Sequence, residues 1–158
     1  MQGVIGVYSR EDASTKSIHT LYGVQHRGQE SSGVTSAGDH SLRTWKGRGL
    51  VSAVFNEKYA AFSHPSDYVI IGSASGENAD ASYAPLESID NDRYHFSLAL
   101  DGYFPGEKIS NEHVIKDSIV KHLNEGKDFV EALKAAMKSH RDSYYCLVIA
   151  VWDRKEKK

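Results

Sequence analysis

Apolar residues alternate with polar ones, or run together, in several short stretches of the chain, and both patterns are typical of β-strands. The clearest stretch runs from Tyr144 to Trp152 and carries no charge. Two others flank Gly38-Asp39, a dipeptide that favours a hairpin turn. The predicted strands are Gly3–Tyr8, Gly33–Ala37, Leu42–Lys46, Tyr68–Gly72, Tyr94–Leu100 and Tyr144–Trp152.

Three other segments carry apolar residues at helical spacing, with residues at their ends that begin or stop helices. Gly28 would stop the first, Ser110 would cap the second, and Gly126 would end it. The predicted helices are Ser14–Arg27, Glu112–Leu123 and Asp128–His140. Strands first, then helices, then a strand predict an α+β domain or a layered α/β/β/α domain.

Two segments are predicted to lie outside regular elements. Asp101-Gly102 is a common turn dipeptide, so it is expected to end the strand before it. Ser73–Ser82 consists of small residues without periodicity, which is typical of a loop. Because it contains no lysine, it does not predict a phosphate-binding loop.

Length and composition predict a single globular domain over residues 1–158. The 158 residues are 40% hydrophobic and 25% charged, with a formal net charge of -2, which argues against nucleic acid as a partner. No stretch approaches the about 20 apolar residues of a membrane helix. One cysteine cannot form a disulfide framework, and together with the lack of a signal peptide this predicts a cytoplasmic protein. The histidines are scattered, so we predict no metal site and no cofactor.

Three blocks of residues carry a resemblance to a known family. Gln25–Gly33 reads QHRGQESSG, Lys46–Phe55 reads KGRGLVSAVF, and GVIGVY stands near the start. Together they resemble the N-terminal part of amidophosphoribosyltransferases, which are class II glutamine amidotransferases with the N-terminal-nucleophile (Ntn) hydrolase fold. Weaker similarity continues to Tyr144–Val151. The resemblance implies one glutamine-amidotransferase-like domain, an αββα sandwich of antiparallel sheets that is shortened at the C-terminus.

The resemblance also implies where the family's chemistry would lie. In the family, a cysteine becomes the first residue after processing, and its thiolate attacks the glutamine amide with help from its own α-amino group. The equivalent position here is Gln2, just before Gly3. A carboxamide is not a nucleophile, and removal of Met1 is disfavoured before a bulky residue. We therefore expect that the glutaminase nucleophile is absent.

Three further positions depart from the family's pattern. The family's arginine-containing loop, which holds the substrate carboxylate, corresponds to the segment around Ser75, where no arginine stands. The asparagine-glycine pair of the oxyanion hole corresponds to Asp101-Gly102, and an aspartate accepts hydrogen bonds where an asparagine donates them. The aspartate that binds the substrate's ammonium group corresponds to Asn111. The vestigial glutamine-site positions would be Gln2, Ser75, Asp101, Gly102 and Asn111, with no catalytic residue intact.

The segment Gln25, His26, Arg27 and Gly28 lies where a predicted helix ends and the chain must reverse. Gly28 can take a positive φ, and the polar side chains can bond carbonyls at the helix end. We interpret the segment as a structural motif and not as a catalytic centre.

Two remaining groups carry reactive or titratable side chains. Cys146 lies inside an apolar strand, so we predict that it is a small buried hydrophobe and not a nucleophile. Glu112 and His113 would form a polar cluster with Asp101 if the fold brings them together.

Two classes of function stay open. The first is a non-catalytic amidophosphoribosyltransferase-like module, a pseudoenzyme with a binding, regulatory or assembly role; the resemblance implies purine biosynthesis. The second is an enzyme, either a glutaminase subunit of the amidophosphoribosyltransferase type or a repurposed hydrolase that uses Asp101, His113 or a serine of Ser73–Ser82. A second copy of the chain, another protein and a small molecule all stay open as partners. In either case the side chain of Gln2 or Met1 is predicted to lie beside Asp101-Gly102.

Overall fold

The computed structural model of the protein describes residues 2–38, 41–56, 66–76, 86–90, 93–105 and 111–157, with the backbone alone for 86–90. The strands are β1 (Gln2–Tyr8), β2 (Ser31–Ala37), β3 (Leu42–Arg48), β4 (Val69–Ser75), β5 (Leu86–Asp90), β6 (Tyr94–Tyr103) and β7 (Tyr144–Asp153). The helices are α1 (Ala13–Val24), which continues into a 3-10 turn (Gln25–Arg27), α2 (Val51–Val54), α3 (Asn111–Asn124) and α4 (Phe129–Ser139).

Sheet A contains four antiparallel strands in the order β1-β4-β2-β3. α1 and α2 pack on its outer face, where Leu21 of α1 and Val51 of α2 join Val34 and Ile70 in one apolar cluster. Each of these four side chains is fully buried. Burial of that apolar face holds the helices against the sheet.

Sheet B contains β5, β6 and β7 in that order, also antiparallel. Alternate residues of β6, namely Phe96, Leu98 and Leu100, point to the same face because side chains alternate along a strand. They form a second apolar cluster with Ile115 and Ile119 of α3. α3 and α4 therefore cover the outer face of sheet B.

The inner faces of the two sheets meet through both apolar and polar side chains. Ile71 of sheet A and Ala150 of sheet B belong to one apolar cluster. Beside it, the Thr35 hydroxyl lies 2.7 Å from the Ser97 hydroxyl and 2.8 Å from that of Thr44. The layers are helix, sheet, sheet and helix, which confirms the predicted α+β sandwich of antiparallel sheets.

The helix ends follow local sequence signals. Asp128 caps α4: its Oδ1 accepts from the Glu131 N–H at 2.9 Å, and the Glu131 carboxylate accepts from the Asp128 N–H at 3.4 Å. This reciprocal pair is a capping box. Gly126, with φ of 87°, follows α3, as predicted. No helix in the described ranges is long and apolar enough to cross a membrane.

Two strands extend further than the sequence pattern predicts. β4 continues through Ser73 to Ser75, so the first residues of the predicted loop Ser73–Ser82 are strand. The predicted turn at Asp101-Gly102 is wrong as well, because both residues lie within β6 and pair with β7. Small polar residues such as these are poor strand formers alone, and here the neighbouring strands hold them in the ladder.

Two elements are not predicted from the sequence, the short helix α2 and the strand β5. The remaining predicted strands and helices are confirmed within a few residues. Three predictions fall outside the described residues: the hairpin residue Asp39, the cap Ser110 and positions 77–82 of the predicted loop.

Candidate functional site

The N-terminal strand brings Gln2 to one end of the space between the two sheets, and we call this end of the space the cleft. Gln2 pairs with Ser75 across β1 and β4. The next residue, Gly3, faces α1, because a Cβ added to it would lie 2.7 Å from the Cβ of Val24. Since side chains alternate along a strand, Gln2 faces sheet B instead. Only 7% of its surface is exposed.

The backbone of Gln2 is bonded to two charged side chains. Its N–H donates to Oδ1 of Asp101 at 3.1 Å, and its carbonyl accepts from Nε of Arg27 at 2.8 Å. Arg27 also forms an ion pair with Oδ2 of Asp101. The start of β1, the end of α1 and the end of β6 are therefore tied at one point. The predicted placement of Gln2 beside Asp101-Gly102 is confirmed.

The carboxamide of Gln2 is bonded to a buried carboxylate. Its Nε2 donates to Oε1 of Glu112 at 2.6 Å, and Glu112 is 2% exposed. The carboxamide Oε1 is also buried and has no hydrogen-bond partner among the residues that the structure describes. A carboxylate that accepts from an amide in a dry setting forms a stronger hydrogen bond than two neutral groups do.

Glu112 was predicted only as part of a polar cluster with Asp101, and its bond to Gln2 is new. One sequence signal points to its burial: Glu112, Ile115 and Ile119 stand at helical spacing on one face of α3, and all three are buried. A charged residue on the apolar face of a helix needs a partner. The sequence does not identify that partner.

Three of the positions that are predicted to be vestigial have structural partners of their own. Ser75 is 1% exposed and lies in the β4 ladder. Gly102 packs closely against Tyr145: a Cβ added to Gly102 would lie 2.4 Å from the Cβ of Tyr145. Its carbonyl accepts from Nδ2 of Asn111 at 2.7 Å, so Asn111 joins the start of α3 to β6. A role for these positions in binding glutamine stays a prediction.

The segment from Gln25 to Gly28 forms a structural corner with one extension into the cleft. Oε1 of Gln25 accepts from the Val51 N–H at 2.7 Å, and Nδ1 of His26 lies 3.1 Å from the Gly23 carbonyl. Arg27 goes beyond the predicted scaffold role, because it contacts both Gln2 and Asp101.

Gly28 does not use the positive φ that is open to glycine. Its φ is -169°, which is extended backbone. Glycine is required there for space: an added Cβ would lie 2.2 Å from the carbonyl carbon of Ser75 and 2.4 Å from the Gly76 nitrogen.

The predicted burial of Cys146 is also wrong, because the structure places the thiol on the surface. Cys146 lies opposite Asp101 in the β6–β7 ladder. Directly opposed residues of an antiparallel pair point to the same face. The thiol therefore stands on the same face of sheet B as the Asp101 side chain. In the described part of the chain, no three His, Cys, Asp or Glu side chains are grouped to hold a metal ion.

The side chains around the start of β1 are bonded to one another. The group at the start of β1 is a carboxamide, and both oxygens of Asp101 accept hydrogen bonds already. A carboxylate at that point would oppose a developing negative charge.

Comparison with known proteins gives several relatives. No family model matches the chain. It is 32% identical over 166 residues to the amidophosphoribosyltransferase of Pyrococcus horikoshii, covering 93% of this chain and 35% of that protein. It is 29% identical over 154 residues to the amidophosphoribosyltransferase of Synechocystis sp., covering 85% of this chain and 31% of that protein. The chain thus spans about a third of the length of the curated relatives that it matches.

Solved structures share the fold, among them the following two. One, described as the allosteric regulatory enzyme of purine biosynthesis, superposes with a TM-score of 0.79 at 20% identity and covers 96% of this chain and 35% of that one. The other is the glutamine phosphoribosylpyrophosphate amidotransferase of B. subtilis complexed with ADP and GMP, with a TM-score of 0.77 at 20% identity, covering 97% and 37%.

Proposed function

The chain is a homologue of the N-terminal domain of amidophosphoribosyltransferases, and on that premise we propose that it is a non-catalytic glutamine-amidotransferase-like module with a binding, regulatory or assembly role. The setting we propose is purine biosynthesis, because one structural neighbour is described as an enzyme of that pathway.

The observation that carries the proposal is the state of Gln2. The family resemblance assigns the nucleophile to this position. The carboxamide found there is a poor nucleophile towards a carbonyl carbon. Its Nε2 is engaged by Glu112 at 2.6 Å. Gln2 is built into the interior as a structural residue.

A second observation that supports the proposal is the negative charge of Asp101, which lies beside Gln2. Asp101 replaces the asparagine that the resemblance expects, and its ion pair with Arg27 favours a carboxylate at this place. An oxyanion hole needs donors aimed at the developing charge, and loss of one donor costs about 10²- to 10³-fold in rate. The nucleophile and the oxyanion hole are therefore altered together.

Ammonia release from L-glutamine by the purified protein tests the loss of catalysis. We expect release no faster than with heat-denatured protein. We expect the same of Gln2→Cys, because Asp101 still opposes the oxyanion. Steady release by the wild-type chain would contradict the proposal.

A covalent probe provides an independent measurement. Iodoacetamide should alkylate Cys146, because that thiol is exposed, and this serves as the control for thiol reactivity. A diazo-ketone analogue of glutamine should add no mass to the intact protein. An adduct mapped to Cys146 would instead indicate a displaced nucleophile and an active enzyme.

The binding or assembly role has its own test. Native mass spectrometry of protein purified under mild conditions reports bound metabolites and protein partners together. We expect a complex with a protein or a small molecule, and a bare monomer throughout would contradict that part of the proposal.

A further inference from the structure

The two ends of the Gln2–Glu112 hydrogen bond are both removed from water. Gln2 is 7% exposed and Glu112 is 2% exposed, and the bond between Nε2 and Oε1 measures 2.6 Å. The partners lie 110 positions apart in the chain. A buried carboxylate requires donors, and here a primary carboxamide supplies one.

We propose that the side chain of Gln2 is an internal ligand, which fills a small pocket whose acceptor is Glu112 and so keeps the chain's own cleft occupied. The pocket is suited to a neutral group with N–H donors. The neighbouring carboxylate, Asp101, already accepts from Arg27 and from the Gln2 N–H, whereas Glu112 accepts from the Gln2 carboxamide.

The internal ligand has an advantage over any molecule from solution. Its carboxamide is attached to β1 and loses no translational freedom on binding, so its effective concentration at Glu112 is high. The fit is nevertheless incomplete, because the Gln2 Oε1 is buried without a described partner, and such a group costs stability. A free carboxamide of the same size would be able to reorient and improve that contact.

The inference rests on the proposed function in one respect: a cleft without a nucleophile holds a carboxamide without cleaving it. The proposed function and the inference about the internal ligand would be contradicted by different results. Ammonia release from glutamine by the wild-type chain contradicts the proposed function, whereas the experiment below concerns occupancy alone.

The test removes the internal ligand and supplies the missing atoms from solution. Gln2→Ala deletes the part of the side chain that acetamide contains. A molecule of this size binds weakly, with a dissociation constant of about a millimolar or more. At about ten times that concentration, acetamide should raise the melting temperature of Gln2→Ala by about 3 to 6 °C.

Three matched controls define the result. Acetate has the same number of heavy atoms but no N–H donor, and should have no stabilising effect. The wild-type chain should not respond to acetamide, because its pocket is filled. The double variant Gln2→Ala/Glu112→Ala should not respond either. Equal responses of wild type and Gln2→Ala, or no response of a folded Gln2→Ala, would overturn the proposal.

A measurement on the wild-type chain keeps the proposal testable if Gln2→Ala does not fold. The side-chain amide protons of Gln2 should exchange slowly with solvent in nuclear magnetic resonance spectra, whereas those of the exposed Gln29 should exchange fast. Glu112→Gln should change the Gln2 amide signals and speed their exchange. Fast exchange at Gln2 in the wild-type chain would contradict an internal ligand.

Discussion

Gly28 is the point at which the end of α1 passes against β4 with no room for a side chain. The Glu30 N–H donates to the Ser75 carbonyl at 2.9 Å just beyond it, so the two backbones cannot separate without losing that bond. The same approach brings Arg27, the preceding residue, into reach of Asp101. Close packing at one glycine thus positions a charged group of the cleft.

Substitution of Gly28 should be costly for this reason. Gly28→Ala forces a Cβ to within 2.2 Å of backbone, and we expect a loss of about 3 kcal/mol in the free energy of unfolding. Gly23 in α1 is the matched control, because an added Cβ meets nothing within 4 Å. Gly23→Ala should stabilise by about 0.5 kcal/mol. Urea denaturation measures both, and equal effects would contradict the steric argument.

At the scale of elements, charged side chains pair with one another at the connection between α3 and α4. Glu125 forms an ion pair with Lys127, and its carboxylate lies 2.9 Å from Nδ1 of His122. Hydrogen bonds from Lys127 first, and from His122 second, lower the pKa of Glu125 from 4.5 to about 2. The charged form is therefore favoured in the folded chain.

The direction of that pKa shift sets a pH dependence. Because the folded pKa lies below the unfolded one, the stabilisation is fully present above pH 4.5 and is lost as pH falls towards about 2. Titration of the Glu125 carboxyl carbon by nuclear magnetic resonance should give a midpoint near 2 in the wild-type chain. In Lys127→Met the midpoint should rise. An unchanged midpoint would show that Lys127 is not the cause.

At the scale of the whole molecule, the two sheets are joined by polar contacts as well as by apolar ones. Thr35 of sheet A and Ser97 of sheet B are each 0% exposed, and their hydroxyls lie 2.7 Å apart. Such a buried pair favours one relative position of the sheets, because any other position leaves both hydroxyls without this bond.

Breaking the pair on one side should cost more than removing both members. Thr35→Val leaves the Ser97 hydroxyl buried without this partner, and we expect a loss of about 2 kcal/mol. Adding Ser97→Ala removes the unmatched group, so the double variant should recover about half of that loss. A double-mutant cycle by chemical denaturation measures the coupling. Strict additivity would mean that the two hydroxyls do not interact.

Local sequence patterns predict most of the elements and fail at the ends of two strands. The apolar spacing of α4 and the uncharged run of β7 are recognisable because they depend on neighbours a few residues away. The end of β4 at Ser75 and the path of β6 through Asp101-Gly102 depend on strands far along the chain. The turn prediction at Asp101-Gly102 failed because ladder pairing outweighed the local preference.

The features of the cleft also fall into those that the sequence determines and those that it does not. From the sequence alone follow the family resemblance, the α+β sandwich, and the identity of the groups at Gln2 and Asp101. The tertiary structure alone decides that Gln2 meets Glu112, that Arg27 reaches Asp101, and that Cys146 is exposed. The physical reason is that residue types and local periodicity are written along the chain, whereas the partner of a buried polar group is chosen by how the layers pack.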